Sequence, residues 1–172
     1  MLATTVLALA FAAAGLAQTV PAGYRKVYMT SNVDTKFIVV PKTPVKNGTT
    51  TVVQTNTNKP GDTWFIAGTA GKTKIYLSNT TLCMDAGVKT AWKDMANIYV
   101  NECSDTAVGQ NWVDMGDGRI QVDGSSPAEC IDLQYMRATA NNPVGLYACA
   151  GLGNTGAKDK GINWPLVNVT AF

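Results

Sequence analysis

Histidine is absent from the sequence, and glutamate occurs only at Glu102 and Glu129. Without an imidazole there is no Ser-His-Asp or Cys-His nucleophile, no histidine acid–base pair and no histidine-ligated metal. Charge of one sign is also missing. Lys and Arg number 14, Asp and Glu 12, and the net charge is +2. The lysines are scattered, so the basic footprint of a nucleic-acid binder is lacking. No Asp-x-Asp-x-Asp-Gly run is present to bind calcium. Neither a cofactor nor a metal is expected. Long apolar runs are confined to residues 1–17, where 14 positions are apolar and none is charged. That stretch is too short, and too interrupted by Thr and Gly, for a membrane span. It reads as a secretory signal, with Gly15 and Ala17 placed for cleavage before Gln18. Residues 18–172 are then expected to form one secreted domain, large enough to bury a core.

What is present agrees with an oxidising, glycosylating route. Four cysteines occur, Cys83, Cys103, Cys130 and Cys149, an even number suited to two disulfides. Asn-x-Thr sequons stand at Asn47, Asn79 and Asn168, each a candidate glycosylation site.

After residue 18 no extended helical period is visible. Short runs rich in Val, Ile, Tyr, Phe and Thr alternate with Gly, Pro, Asn and Asp, which predicts about twelve strands and an all-β sandwich or barrel. The strands repeat. Lys26-Val27-Tyr28-Met29, Lys74-Ile75-Tyr76-Leu77 and Arg119-Ile120-Gln121-Val122 each open a copy, and Trp64, Trp112 and Trp164 each close one. From first apolar residue to Trp is 37 residues in the first two copies and 44 in the third. The extra seven fall in 151–161, whose composition is that of a loop. The copies run over about 24–67, 73–114 and 118–169. Cys83-Met84-Asp85 and Cys130-Ile131-Asp132 occupy matching places, with the second cysteine 20 and 19 residues on. Four cysteines permit three pairings, and the repeat favours Cys83–Cys103 with Cys130–Cys149. Copy one has Phe37-Ile38-Val39 there and no cysteine.

Cys-x-Asp, a second cysteine about twenty residues on and a closing Gln-x-Trp resemble the ricin B-type lectin repeat. The resemblance covers 24–169 and implies a β-trefoil: twelve strands in three units about a pseudo-threefold axis. It implies that the three Trp belong to the core. It also implies sugar binding, in which an aspartate accepts from vicinal hydroxyls, an aromatic ring packs on the sugar's C–H face and an amide adds polar contacts.

Carried onto this chain, copy two offers Asp85 and the amide of Gln110. Its aromatic position holds Asn101, with Tyr99 and Trp92 as substitutes. Trp92 lies among Lys89, Lys93 and Asp94 and is expected to face solvent or a partner. Copy three offers Asp132 and Tyr147 but has Ile162 for the amide, which Asn154 or Asn163 would replace only if the inserted loop folds back. In copy one Val39 stands for the aspartate, and no sugar site is expected. Asp85 and Asp132 fall in different copies, too far apart for the paired carboxyls of a glycosidase. Asp114, Asp117 and Asp123 crowd one hairpin and read as turn chemistry. The chain is therefore expected to be non-catalytic, a lectin-like binder of glycans or glycoproteins with at most two partly degenerate sites. The competing reading is an accessory small subunit of a secreted enzyme such as a laccase-type oxidase, since some copper oxidases carry a small trefoil partner.

Overall fold

The computed structural model describes residues 19–169. The expected signal segment lies outside them, as does Thr170 of the last sequon. The strands fall into three groups. The first contains β1 (Tyr24–Met29), β2 (Phe37–Pro41), β3 (Thr49–Thr55) and β4 (Trp64–Ala67). The second contains β5 (Gly71–Thr73), β6 (Tyr76–Leu77), β7 (Leu82–Asp85), β8 (Tyr99–Glu102) and β9 (Trp112–Asp114). The third contains β10 (Ile120–Val122), β11 (Glu129–Leu133), β12 (Val144–Ala148) and β13 (Leu166–Asn168).

The opening strand of each group runs between two closing strands. Val27 of β1 faces Trp64 of β4 on one side and Asn168 of β13 on the other. In the second group the same exchange breaks the strand: β5 pairs with β9, and β6 pairs with β4. The opening strand of copy two, read at Lys74-Ile75-Tyr76-Leu77, is therefore split in two. At the end of β5, Thr73 Oγ1 accepts the Ala67 N–H (3.0 Å) and donates to the Lys74 carbonyl (2.6 Å), so a side chain takes over from the ladder at the change of partner. β10 pairs with β9, and the Trp164 N–H reaches the Gly118 carbonyl at 2.8 Å, closing the ring.

Three hairpins, β2–β3, β7–β8 and β11–β12, cap this barrel. They meet at Thr51 in β3, Val144 in β12 and Ile98 just before β8, equivalent positions of the three copies. Thr51 is fully buried, and its hydroxyl lies 3.2 Å from the Ile98 carbonyl and 3.1 Å from that of Val144. The fold is a β-trefoil.

Trp64, Trp112 and Trp164 are all at most 1% exposed, in one continuous core. Each indole donates to the middle of its own second strand: Trp64 to Val39 (2.9 Å), Trp112 to Met84 (3.1 Å) and Trp164 to Ile131 (2.8 Å). These bonds align the copies residue by residue and correct one expectation. Val39 matches Met84 and Ile131, so it is Val40, not Val39, that stands where Asp85 and Asp132 stand. The hairpin registers agree, since Val40, Asp85 and Asp132 face Val52, Tyr99 and Gly145. Phe37-Ile38-Val39-Val40 is apolar throughout, so strand alternation offers no phase there.

Both disulfides form as the repeat suggested, Cys83–Cys103 and Cys130–Cys149. Each closes a loop of ~20 residues, which contributes on the order of 3 kcal/mol in the chain-entropy account. In the first copy Ile38 takes the cysteine position and packs with Tyr28, Val40 and Val52 in a separate apolar cluster.

Replacing Trp112 by Ala removes both the ring and the donor to Met84. It should cost about 3–5 kcal/mol in denaturant unfolding, with similar losses at Trp64 and Trp164. A loss below about 1 kcal/mol, within the range of ordinary surface substitutions, would contradict the central role given to these rings.

Candidate functional site

The alignment through the tryptophans defines three comparable places. The acid position holds Val40, Asp85 and Asp132. The position two before the second cysteine holds Gln54, Asn101 and Tyr147. The position two before each Trp holds Asp62, Gln110 and Ile162. Residue types at these three positions decide what each copy can do.

In the first copy nothing acidic stands on the second strand. Val40 is buried, and Gln54 donates to Asn141 Oδ1 at 2.7 Å. Burial raises the carboxyl of Asp62, against the opposing effect of Lys59.

In the second copy the aspartate is satisfied within the chain. Asp85 Oδ1 accepts the Gly87 N–H (2.7 Å), and Oδ2 accepts from Asn101 Nδ2 (3.0 Å) and Gln110 Nε2 (3.1 Å). Gln110 is 1% exposed; Nε2 also donates to the Glu102 carbonyl (2.9 Å) and Oε1 accepts the Ser104 N–H (2.8 Å). Its amide holds the hairpin to the closing strand. Trp92 is half-buried against the main core and donates its indole N–H to the Gly87 carbonyl at 3.2 Å, so it buttresses the Asp85 turn rather than facing solvent. Tyr99 lies directly opposite Asp85 in the hairpin.

The third copy differs. Asp132 is only 6% exposed, yet its carboxylate makes no hydrogen bond with any described residue. It lines a pocket of about 320 Å³ together with Asp159 and Tyr147. Around them stand four exposed apolar side chains, Met95, Tyr135, Met136 and Leu152. Facing Asp132 across the hairpin is Gly145, which presents no side chain to crowd it. Tyr147 rests on the Cys130–Cys149 disulfide and Ile162.

The inserted loop does fold back, but it delivers neither asparagine. Asn163 Nδ2 is held by the Asp117 and Ala157 carbonyls, both at 3.0 Å, and Asn154 is exposed outside the pocket lining. What arrives is Asp159, 8% exposed, its Oδ1 accepting the Gly161 N–H (2.8 Å) and its Oδ2 the Leu152 N–H (2.7 Å). Gly161 leaves room for the acid: a Cβ there would lie 2.9 Å from Asp132 Oδ1 and would push the carboxylate aside. Gly109 plays the same part against Asp85. Each closing phrase is in fact Gly-x-x-Trp, at Gly61, Gly109 and Gly161.

Tyr135 and Met136 hold successive left-handed backbone conformations, φ 60° and 49°. Each costs on the order of 1 kcal/mol or more for a non-glycine residue. The neighbouring Gln134 anchors the bend: its N–H donates to Pro143, its carbonyl accepts from Asn142 Nδ2, and its own amide reaches the Met95 carbonyl at 3.2 Å. Met95 comes from a second-copy loop pinned to β12 through its N–H to the Leu146 carbonyl (2.8 Å) and through Asp94 Oδ1, which accepts the Ala148 N–H (2.8 Å). The pocket is thus built by two copies.

The electrostatics are those of clustered acids. Burial, then Asp159, then Asp94 push the Asp132 carboxyl up to about 7. Burial and Asp94 do the same to Glu129, also to about 7; that side chain is 2% exposed with Oε2 unpartnered. The sequons Asn47, Asn79 and Asn168 are all exposed. Oδ1 of Asn47 accepts the Glu102 N–H, and Oδ1 of Asn168 accepts from Arg25, each at 2.9 Å. Among the described residues no helix is long and apolar enough to cross a membrane.

A carboxyl that titrates near 7 in the folded chain and at ~4 when unfolded keeps its proton longer in the fold. Stability from Asp132 and Glu129 should therefore fall as pH rises between those values, with the full cost present above about 7. Melting should come at lower temperature at about pH 8 than at about pH 5, and Asp132→Asn with Glu129→Gln should flatten the difference. A profile unchanged by both substitutions would contradict this reading of the acids.

No family model and no curated protein sequence matches the chain. Solved structures do. A designed threefold-symmetric protein, ThreeFoil, superposes with a TM-score of 0.65 at 18% identity, covering 86% of this chain and 99% of the other. The C-half of an earthworm R-type lectin, solved in complex with GalNAc, gives 0.63 at 11% identity over 84% and 99%. An exo-β-1,3-galactanase from Clostridium thermocellum, 1,3Gal43A, gives 0.64 at 18% identity, over 88% of this chain and 32% of the enzyme. At these identities the likeness concerns the fold, and the chain is a β-trefoil by its own strand pairing and by theirs.

Proposed function

We propose that this protein is a secreted, non-catalytic carbohydrate-binding module whose working site is the third-copy pocket. The observation that carries the reading is Asp132: a buried carboxylate with no internal partner, opening into a pocket beside Tyr147. An unpaired buried acid is costly to keep, and a ligand with adjacent hydroxyls supplies the missing donors. The solved trefoils that include a GalNAc-bound lectin support the sugar reading by analogy of fold. Asp85 is a structural acid in this reading, held by Gly87, Asn101 and Gln110. Two disulfides and exposed sequons suit export.

A glycan screen on the oxidised protein, followed by calorimetry on the hits, tests this. Asp132→Asn should weaken binding about 10- to 100-fold, the worth of charge-assisted hydrogen bonds. Tyr147→Ala should weaken it less, and Asp85→Asn should leave it in place. A blank screen from folded protein, with co-elution of a larger enzyme from the culture fluid, would favour the accessory-subunit reading instead.

A further inference from the structure

The third-copy pocket is not neutral. Asp132 and Asp159 both line it, Asp94 stands close enough to act on Asp132, and none of the lining residues is basic. Asp132 is 94% buried by its 6% exposure and has both oxygens free of the described residues. Asp159 is different: its oxygens are taken by two backbone N–H groups, so it contributes field rather than bonds. Tyr135 and Tyr147 add two aromatic rings to the lining. Acid beside aromatic surface, with no basic residue in the lining to act as counter-ion, is a setting for a cation.

Building on the sugar-binding reading, we propose that the preferred ligand is an amino sugar bearing a free ammonium next to a ring hydroxyl. Such a pair presents N–H and O–H donors from adjacent carbons to the two oxygens of Asp132. The positive charge relieves the repulsion between Asp132, Asp159 and Asp94. The ring's C–H face meets Tyr147, and the apolar rim of Met136 and Leu152 excludes water around the charge. An N-acetyl group in that place would lose the charge and with it the attraction to Asp132, Asp159 and Asp94.

The test is calorimetry at neutral pH with paired probes: glucosamine and N-acetylglucosamine oligomers, the galactosamine and N-acetylgalactosamine sugars, and Nα-acetyl-lysine amide. The expected result is at least about tenfold tighter binding of a free-amine sugar than of its acetylated twin, the scale of a charged hydrogen bond. That preference should shrink with added salt and collapse toward equality in Asp132→Asn, whose fold is checked by its melting curve. Equal or tighter binding of the acetylated sugars would overturn the ammonium inference while leaving the sugar-binding reading intact. Lysine amide binding as well as the amino sugar would overturn the assignment to a sugar. Binding to none of the probes or to any glycan would overturn both.

Discussion

The indole N–H of each closing tryptophan, donated to the middle carbonyl of its second strand, is the contact on which the rest of this molecule depends. Barrel and hairpin cap share one apolar core, and these bonds run through its centre. The three bonds, from Trp64 to Val39, Trp112 to Met84 and Trp164 to Ile131, set the height of each hairpin over the barrel. The residue that follows the accepting carbonyl is then carried to the same surface place in every copy. In two copies that residue is an aspartate. The glycine three before each Trp is part of the same device: in copies two and three it leaves room for the carboxylate to lie against the closing strand.

From a common frame the copies diverge by what meets the aspartate. Asn101 and Gln110 supply donors to Asp85, and the result is a closed, rigid network in which the acid is tied into the fold. Tyr147 and Ile162 supply none to Asp132. A buried carboxylate without donors is unfavourable, and the third copy does not lessen this; it adds Asp159 and Asp94, which raise the cost further. The two left-handed residues, Tyr135 and Met136, add backbone strain at the same place. Fold stability is given up around one pocket, which is the usual mark of a site built for something outside the chain.

The inserted loop explains why the third copy differs. Its seven extra residues return Asp159 to the pocket and tie Leu152 and Gly161 to it. Met95 arrives from the neighbouring copy through a loop pinned to β12 by Asp94. The pocket is therefore a property of two adjacent copies and one insertion, and not of a single repeat unit.

The amino-acid sequence by itself determined the strand count within one, the threefold repeat, both disulfides and the two aspartate positions. These rest on residues with one dominant role each: a large ring that must be buried, cysteines in register, an acid in an apolar strand. It also determined that Tyr147 shares a copy with Asp132, and Gln110 with Asp85. Only the tertiary structure decided which aspartate is open. That depends on hydrogen-bond occupancy, and Asn101, where the third copy has Tyr147, is a donor to Asp85. Only the tertiary structure brought Asp159, Leu152, Tyr135 and Met95 together, because they are distant in sequence and none belongs to a repeating pattern. The apolar run Phe37–Val40 had no phase of its own; its register came from the Trp64 hydrogen bond. Periodic, short-range features were legible because each local residue carries its own constraint. The third-copy pocket was not, because it is made of contacts between segments that place no constraint on one another until the chain has folded.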